Sequence, residues 1–438
     1  SDIKNEDLAL FIQDKWQIRS NFNLNYGVRW EAQIFPDPVV PPAQTAYGQF
    51  LNNPAFPSDG TLHNQKKMFQ PRVGFAWDLF SNSKSVLRGS WGIYNARQNM
   101  LTQVGSITTN GVQQQTIFSN TVNIGLGFGP APVWPGVVTP APVPAGTFPL
   151  FSGVRVFSRD YANPRIYTAN VGYEQELFPN WAMYFDFTWS KGVHLTRFLN
   201  MNNGSLPAVV PVNGDVVVST GPSPFGPQLG ELMVASSAGK SLYRGFTAGI
   251  RKRFSRNFQL EGNYVFSKDM DDDSNERDPF TDRSFNRFDL SRDYALSDRD
   301  IRHKFNFYTY MELPWSLQAN LRLQARSAQP ITTNPLGDGT GAPCSPSNSR
   351  TRVVAGVDCG RNHLRKDNDF FSFDWRLSRP FRFGERYALV PIIEMFNTFN
   401  NANNINPLVT PGLFNFDGFL RQGVGDPRQV QLALKFNF

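Results

Sequence analysis

Cysteine is almost absent from this sequence of 438 residues; only Cys344 and Cys359 occur. Two thiols, with no second pair and no flanking His to complete four ligands, exclude a disulfide-dense scaffold and a structural zinc site. Charge is scarce too, at 18% Asp, Glu, Lys and Arg against the roughly 25% of ordinary soluble domains. Long apolar runs are missing: nothing approaches the ~18–20 residues of a spanning helix, and a mean hydropathy of −0.37 is too polar for a helical membrane protein. The chain does not open on Met or on a basic segment followed by an apolar one. Any export signal is therefore expected to have been removed or to lie upstream, and the sequence is expected to be a fragment. What is abundant is aromatic surface, with 39 Phe and 14% aromatics overall, far too much for a disordered chain.

The apolar residues recur with period two. Leu317-Gln318-Ala319-Asn320-Leu321-Arg322-Leu323-Gln324-Ala325 is the cleanest case, and the same two-sided pattern runs through 181–189, 371–377 and 430–438. Large apolar and aromatic residues take one face, and Asp186, Arg322, Arg326, Asp374 and Arg376 fall on the other. Strands are expected at 6–18, 22–34, 70–80, 84–96, 165–178, 181–195, 240–254, 257–268, 302–313, 317–327, 369–380, 387–399 and 428–438. Turns of a few residues alternate with long excursions at 35–69, 97–164, 196–239, 269–301, 328–368 and 400–427.

Strands of about ten residues joined by short turns at one end and long loops at the other match an outer-membrane barrel. Soluble sandwich strands average only about 5–6 residues. Bulky aromatics flank the short turns: Trp16, Phe22, Phe80, Phe178, Trp181, Phe254, Phe258, Trp315, Phe381 and Tyr387. Such rings prefer the headgroup level, which predicts a periplasmic aromatic girdle. The expected fold is all-β: a transmembrane antiparallel up-and-down β-barrel, a single domain over 1–438, with long extracellular loops. Single-chain bacterial barrels have an even strand number, so about thirteen strands point either to one strand not recognised or, as is preferred, to the C-terminal portion of a larger barrel, which the resemblance described next would make 22-stranded.

Several segments resemble the C-terminal barrel of TonB-dependent outer-membrane receptors, in particular the Oar-like branch. They are Gln70-Pro71-Arg72-Val73-Gly74-Phe75-Ala76-Trp77, Leu87-Arg88-Gly89-Ser90-Trp91-Gly92-Ile93-Tyr94, Trp189-Ser190-Lys191-Gly192-Val193-His194-Leu195, Tyr243-Arg244-Gly245-Phe246 through Asn263-Tyr264-Val265-Phe266-Ser267-Lys268, and Asp298-Arg299-Asp300-Ile301-Arg302-His303-Lys304-Phe305 with Glu312-Leu313-Pro314-Trp315. The terminus resembles the signal read by the barrel assembly machinery, through Gln431, Phe436 and Phe438, with Ala433 where Gly is usual. The resemblance implies a plug, an N-terminal domain and a TonB-contacting segment outside this sequence. It also implies function by binding and gating, with the TonB complex as a partner and a substrate that the strand pattern does not name.

Other motifs carry less. Asp269, Asp271 and Asp273 alternate as hard-cation ligands do, but Ser274 replaces the turn glycine of an EF-hand and Phe280 stands where its last Glu belongs. A solvated loop with at most weak calcium binding is expected there. Gly239-Lys240-Ser241, Gly337-Asp338-Gly339-Thr340-Gly341 and Gly125-Leu126-Gly127-Phe128-Gly129 lack the strand-turn-helix context of phosphate or dinucleotide sites, so no cofactor is expected. The histidines His63, His194, His303 and His363 fall at no metal-ligand spacing. A rim hydrolase would need Asp300 with His303, or His194, beside a nucleophile, and a strand-end structural role is the plainer reading of all three.

Cys344 and Cys359 suit one loop-closing disulfide, worth about 3 kcal/mol in the chain-entropy model. Residues 98–154 hold no Lys, Arg, Asp or Glu and recurrent Pro and Gly, which predicts an extracellular loop over the lumen. A net charge of +7 suits contact with outer-membrane lipid and anionic lipopolysaccharide, or anionic solutes in the lumen. Its dispersal through strands argues against nucleic acid. Beside the receptor reading stand a passive porin or surface adhesin and, third, the rim hydrolase.

Overall fold

The computed structural model describes residues 4–113, 153–203, 206–209, 216–220, 222–226, 229–274, 284, 287–331, 333–334, 345–346, 353–354, 357–358, 360–362, 364–365, 369–403 and 427–438. One sheet of sixteen strands dominates. Thirteen of them are long and follow one another in chain order: β1 Glu6–Arg19, β2 Phe22–Ile34, β3 Gln65–Asp78, β4 Ser85–Asn95, β5 Arg165–Phe178, β6 Trp181–Asn200, β7 Leu232–Ser255, β8 Phe258–Asp271, β9 His303–Leu313, β10 Leu317–Arg326, β11 Phe370–Ser378, β12 Tyr387–Phe396 and β13 Gln429–Asn437. Each pairs antiparallel with the next. Three short strands, Val154–Phe157, Ala295–Leu296 and Phe381–Phe383, complete the sheet. The alternation read from sequence thus appears as an up-and-down meander with the expected thirteen crossings.

The short turns have local causes. Ser255 faces Phe258 across Arg256 (φ 48°) and Asn257 (φ 63°), the paired positive φ values of the hairpin turn whose twist matches the flanking strands. Between β3 and β4 the Asp78 carboxylate accepts the N–H groups of Asn82 and Ser83 at 3.3 and 2.7 Å, satisfying donors that the tight turn strands.

Strand limits differ from expectation at the other end. β6 continues to Asn200, β7 begins at Leu232, β8 reaches Asp271 and β3 begins at Gln65. At roughly 3.3 Å per residue, the 20 and 24 residues of β6 and β7 far exceed the ~9–11 that cross a bilayer. The surplus is stabilised by burial: Phe198, Leu199 and Leu232 through Ala235 are covered by loops. Tyr47 and Phe56 from the loop after β2, Val154 and Val156 from the short strand parallel to β7, and Phe225 and Leu229 from the loop after β6 form one apolar cluster. This cap is the main hydrophobic core among the described residues. The long sheet itself turns its large side chains outward, with Ile12 73% and Leu432 77% exposed.

The segment 98–154 also departs from expectation, because its described start contains a helix, α1 Met100–Thr108. Asn99 caps it by accepting the Thr102 N–H at 2.8 Å. Periodicity did not reveal α1, since its buried side includes Thr102, Gln103 and Ser106. Polar partners hold it instead. Gln33 on β2 exchanges two 3.1 Å hydrogen bonds with the Gln98 backbone, Gln103 donates to the same Gln98 carbonyl at 2.9 Å, and Tyr161 and Thr196 both donate to the Gln98 side chain.

Candidate functional site

Strand registry places Asp186, Thr247, Val265, Lys304 and Arg326 in one cross-strand row. A parallel row, closer to the short turns, contains Arg251, Glu261, Tyr308, Arg322 and Asp374, and Arg376 stands two residues from Asp374 opposite Glu394. Because residues alternate faces along a strand, all five residues expected on the polar side share one face. Their neighbours on the other face, including Leu321, Leu323 and Trp375, are apolar.

The polar rows are knit by charge-assisted bonds. Glu261 accepts from Arg251 at 3.1 Å, Tyr308 at 2.5 Å and Tyr184 at 3.2 Å. Arg322 lies 3.8 Å from Asp374, and Arg376 3.5 Å from Glu394. Arg326 sits 5.7 Å over the Phe370 ring, and the Asp186 carboxylate lies where a Cβ on Gly172 would be, at 2.3 Å. A cavity of about 380 Å³ is lined by Tyr308, Tyr310, Asn320, Arg322, Asp374 and Arg376. These hydroxyls, amides and paired charges can hydrogen-bond a hydrophilic solute or a soluble domain. Arg251, Glu261, Tyr184 and Tyr308 were not singled out from sequence, although period-two alternation along β6 to β9 would have put all four on this face.

At the long-loop end, in the run expected to be solvated, Asp271 and Asp272 are buried and paired while Asp269 and Asp273 are half-buried. Asp271 accepts from Arg361 at 2.7 Å, Asp272 lies 3.9 Å from Arg197, which also pairs with Asp293, and Asp300 is paired with Arg365. Asp269 and Asp271 belong to β8 and not to a loop, and Asp271, Asp272 and Arg197 are all at most 4% exposed. Continued strand pairing carries these carboxylates under the cap, where guanidinium groups replace the stabilisation that solvent would have given their charge. Burial pushes Asp272 above the ordinary aspartate range. Burial works against the charge of Arg361, but Asp271 and Asp298 hold its pKa above the usual value. Among the described residues no three His, Cys, Asp or Glu are arranged to hold a metal.

Asp300 and His303 are turned to different partners. Besides Arg365, Asp300 receives the Asp269 N–H at 2.6 Å, while His303 Nδ1 meets the Tyr264 hydroxyl at 2.6 Å. His194 is exposed with φ 57°, and His63 lies 3.0 Å from Asp59. His363, Cys344 and Cys359 lie outside the described residues.

The expected girdle residues gather at the short-turn end. Trp16, Phe80, Phe178, Trp315, Phe381 and Tyr387 are exposed, Phe22 packs against Phe75 and Trp77, and Trp181 against Phe258. Phe254 differs from its neighbours, its ring lying tilted 5.8 Å from that of Tyr310 on the polar face. The register shift between Lys252 and Ser255 explains this, since a bulge redirects side chains from strict alternation. On β13, Phe436 lies between Tyr387 and Phe438, each at 6.0 Å, and Gln431 is opposite Glu394 on the polar face.

Comparison with solved structures finds this meander in outer-membrane transporters. The chain is similar to the outer membrane transporter YddB from Escherichia coli, with TM-score 0.59 and 11% identity over 99% of this chain and 45% of that one. It is similar to the FrpB iron transporter from Neisseria meningitidis, with TM-score 0.53, 11% identity and coverage of 100% and 46%. For the ferripyoverdine receptor of Pseudomonas aeruginosa the values are 0.52, 11%, 100% and 39%. The chain therefore spans less than half the length of each. No curated protein matches it by sequence. Residues 1–329 match the family model described as outer membrane beta barrel domain, and with one apolar face, one polar face and crossings long enough for a bilayer, the chain belongs to that family and is integral to the outer membrane.

Proposed function

We propose that the chain is the C-terminal barrel portion of a TonB-dependent receptor, of the Oar-like branch, that moves a substrate across the outer membrane by gated movement of a plug. The observation that carries this is the thirteen-strand antiparallel meander, which superposes on outer-membrane transporters over 39–46% of their length. An odd meander whose outermost strands β1 and β13 run the same way cannot close on itself antiparallel. About nine further strands would make the 22 of plugged transporters, with the plug and N-terminal domain also outside 1–438.

In this reading the polar rows face the lumen, where Arg251, Glu261, Tyr308, Arg322 and Asp374 contact plug or solute. The short-turn aromatics form the periplasmic girdle, Gln431, Phe436 and Phe438 address the barrel assembly machinery, and lipid and lipopolysaccharide surround the wall. TonB acts through the N-terminal parts, and the chemistry is binding and gating, with no bond made. Two of the three solved relatives take iron or ferripyoverdine by their titles. The loops that would set specificity here follow no strand pattern, so the substrate class is open to siderophore, glycan or peptide.

The test is the coding region immediately upstream of Ser1. About nine more strands behind a plug and signal peptide are expected. A signal peptide abutting Ser1 would remove energised transport and leave a passive porin or adhesin.

A further inference from the structure

The apolar face of β6 to β8 is bounded at both ends. At the short-turn end Trp181, Lys252 and Leu260 form one cross-strand row, with the Lys252 ammonium turned onto the Ser255 and Phe258 carbonyls at 2.6 and 2.8 Å. Eight residues further along each strand stands the row Trp189, Arg244 and Lys268. Between them that face presents only apolar or aromatic side chains and Gly262: Met183, Phe185 and Phe187 on β6, Ile250, Ala248 and Phe246 on β7, Tyr264 and Phe266 on β8. Eight residues are roughly 26 Å of strand, close to the ~25 Å apolar band of an outer-membrane barrel once tilt is allowed for. Arg244 and Lys268 therefore stand where lipid tails give way to headgroups at the long-loop side.

Their arrangement is unfavourable without an anion. Arg244 and Lys268 are directly opposite on adjacent strands, a pairing of like charges that costs stability. Both are exposed, and among the described residues neither has a carboxylate partner. Lys191 lies one row further out, opposite Leu242, and Arg302 stands 5.7 Å over the Phe266 ring with its guanidinium 3.8 Å from the buried Asp300 carboxylate. Neighbouring β10 and β11 carry Ala325 and Phe371 on this face near the same rim, so the positive charge does not continue onto those strands.

We infer that the outer wall around Arg244, Lys268, Lys191 and Arg302 is a binding site for the phosphate of an outer-leaflet glycolipid, lipopolysaccharide, with the acyl chains lying along Phe246 and Phe266. The inference deepens the lipid contact proposed above and is independent of TonB coupling. Two opposed cations bracket one phosphate, the neighbouring pair reaches the rest of the anionic headgroup, and the aromatic row below fits the chains.

The test uses the full-length protein, refolded in detergent and placed in phosphatidylethanolamine nanodiscs containing diphosphoryl lipid A or its dephosphorylated form, with bound glycolipid counted by native mass spectrometry. The unaltered protein is expected to retain the diphosphoryl form and release the other. R244A/K268A is expected to lose about thirtyfold in retention, while R244K/K268R keeps it, both folded by heat-modifiability. Equal retention of the two glycolipids by the unaltered protein overturns the site even if the alanine variant fails to fold. So does full retention by folded R244A/K268A, and so does equal displacement by phosphatidylglycerol, which would mean unspecific attraction. If the unaltered protein holds no glycolipid at all, the lipopolysaccharide contact itself falls, whereas loss of transport with retention intact would fault only the receptor reading.

Discussion

The two ends of the same strands are stabilised by opposite means. At the short-turn end the chain closes on itself within a few residues, and exposed rings such as Trp315, Phe80 and Phe178 stand around tight turns. At the long-loop end, β6 and β7 run on into a cap whose apolar cluster and buried ion pairs join residues far apart in sequence, such as Arg197 with Asp293 and Arg361 with Asp271. The first end relies on local backbone chemistry and on lipid; the second carries its own core. The same strand can therefore be legible at one end and opaque at the other.

Removing Arg197 separates the behaviour of the two ends most directly. Arg197→Ala removes from buried Asp272 and Asp293 the guanidinium that pairs with both, and the cap is expected to lose about 3–5 kcal/mol. Hydrogen exchange should rise at 198–200 and 232–235 while the β7–β8 turn at 255–258 stays protected. Equal loosening at both ends would show that the cap is not a separate unit. Phe56→Ala removes a fully buried ring from the apolar cluster and should cost about 3 kcal/mol, read as faster proteolysis of the long loops with heat-modifiability of the barrel retained.

A smaller effect sharpens the picture within the sheet. A Cβ at Gly249 would meet the Tyr184 ring and hydroxyl at 2.3–2.6 Å. Gly249→Ala should therefore displace Tyr184 from Glu261 and cost about 1–2 kcal/mol in barrel unfolding by denaturant. Tyr184→Ala in the same background should recover part of it.

The smallest effect is a pH response confined to the cap. Burial opposes ionisation of Asp59, but the Thr61 N–H and hydroxyl hold its carboxyl below the ordinary value of 3.8. A depressed carboxylate contributes stability that is full above its unfolded pKa and is lost as pH falls through the folded one. Exchange at 59–63, corrected for intrinsic rate, should be flat from neutral pH to about 5 and rise below about 4. The same rise in Asp59→Asn would assign it to another group.

Strand number, order and the face of strand residues away from bulges were legible because period-two alternation is local. Leu321 and Arg322 point apart whatever lies around them. The short turns were legible for the same reason, through residues such as Asn180 that accept positive φ. Phe254 was misplaced because a single bulge reverses alternation, and nothing in Arg253-Phe254-Ser255 announces it. Helix α1 was missed because its buried side is polar, satisfied by Gln33 and Gln98 from other elements.

The lipid-facing rim shows the division most clearly. The sequence alone determined that the strands carry an apolar and a polar side and that Arg244 and Lys268 occur near their ends, since each depends on a residue and its immediate neighbours. Only the tertiary structure decided that these two cations are opposed across β7 and β8, that Asp271 and Asp272 are covered instead of solvated, and that Glu261 gathers Arg251, Tyr184 and Tyr308. Those outcomes depend on registry between strands and on loops folding back over them, and registry is a property of pairs of segments that no single segment contains.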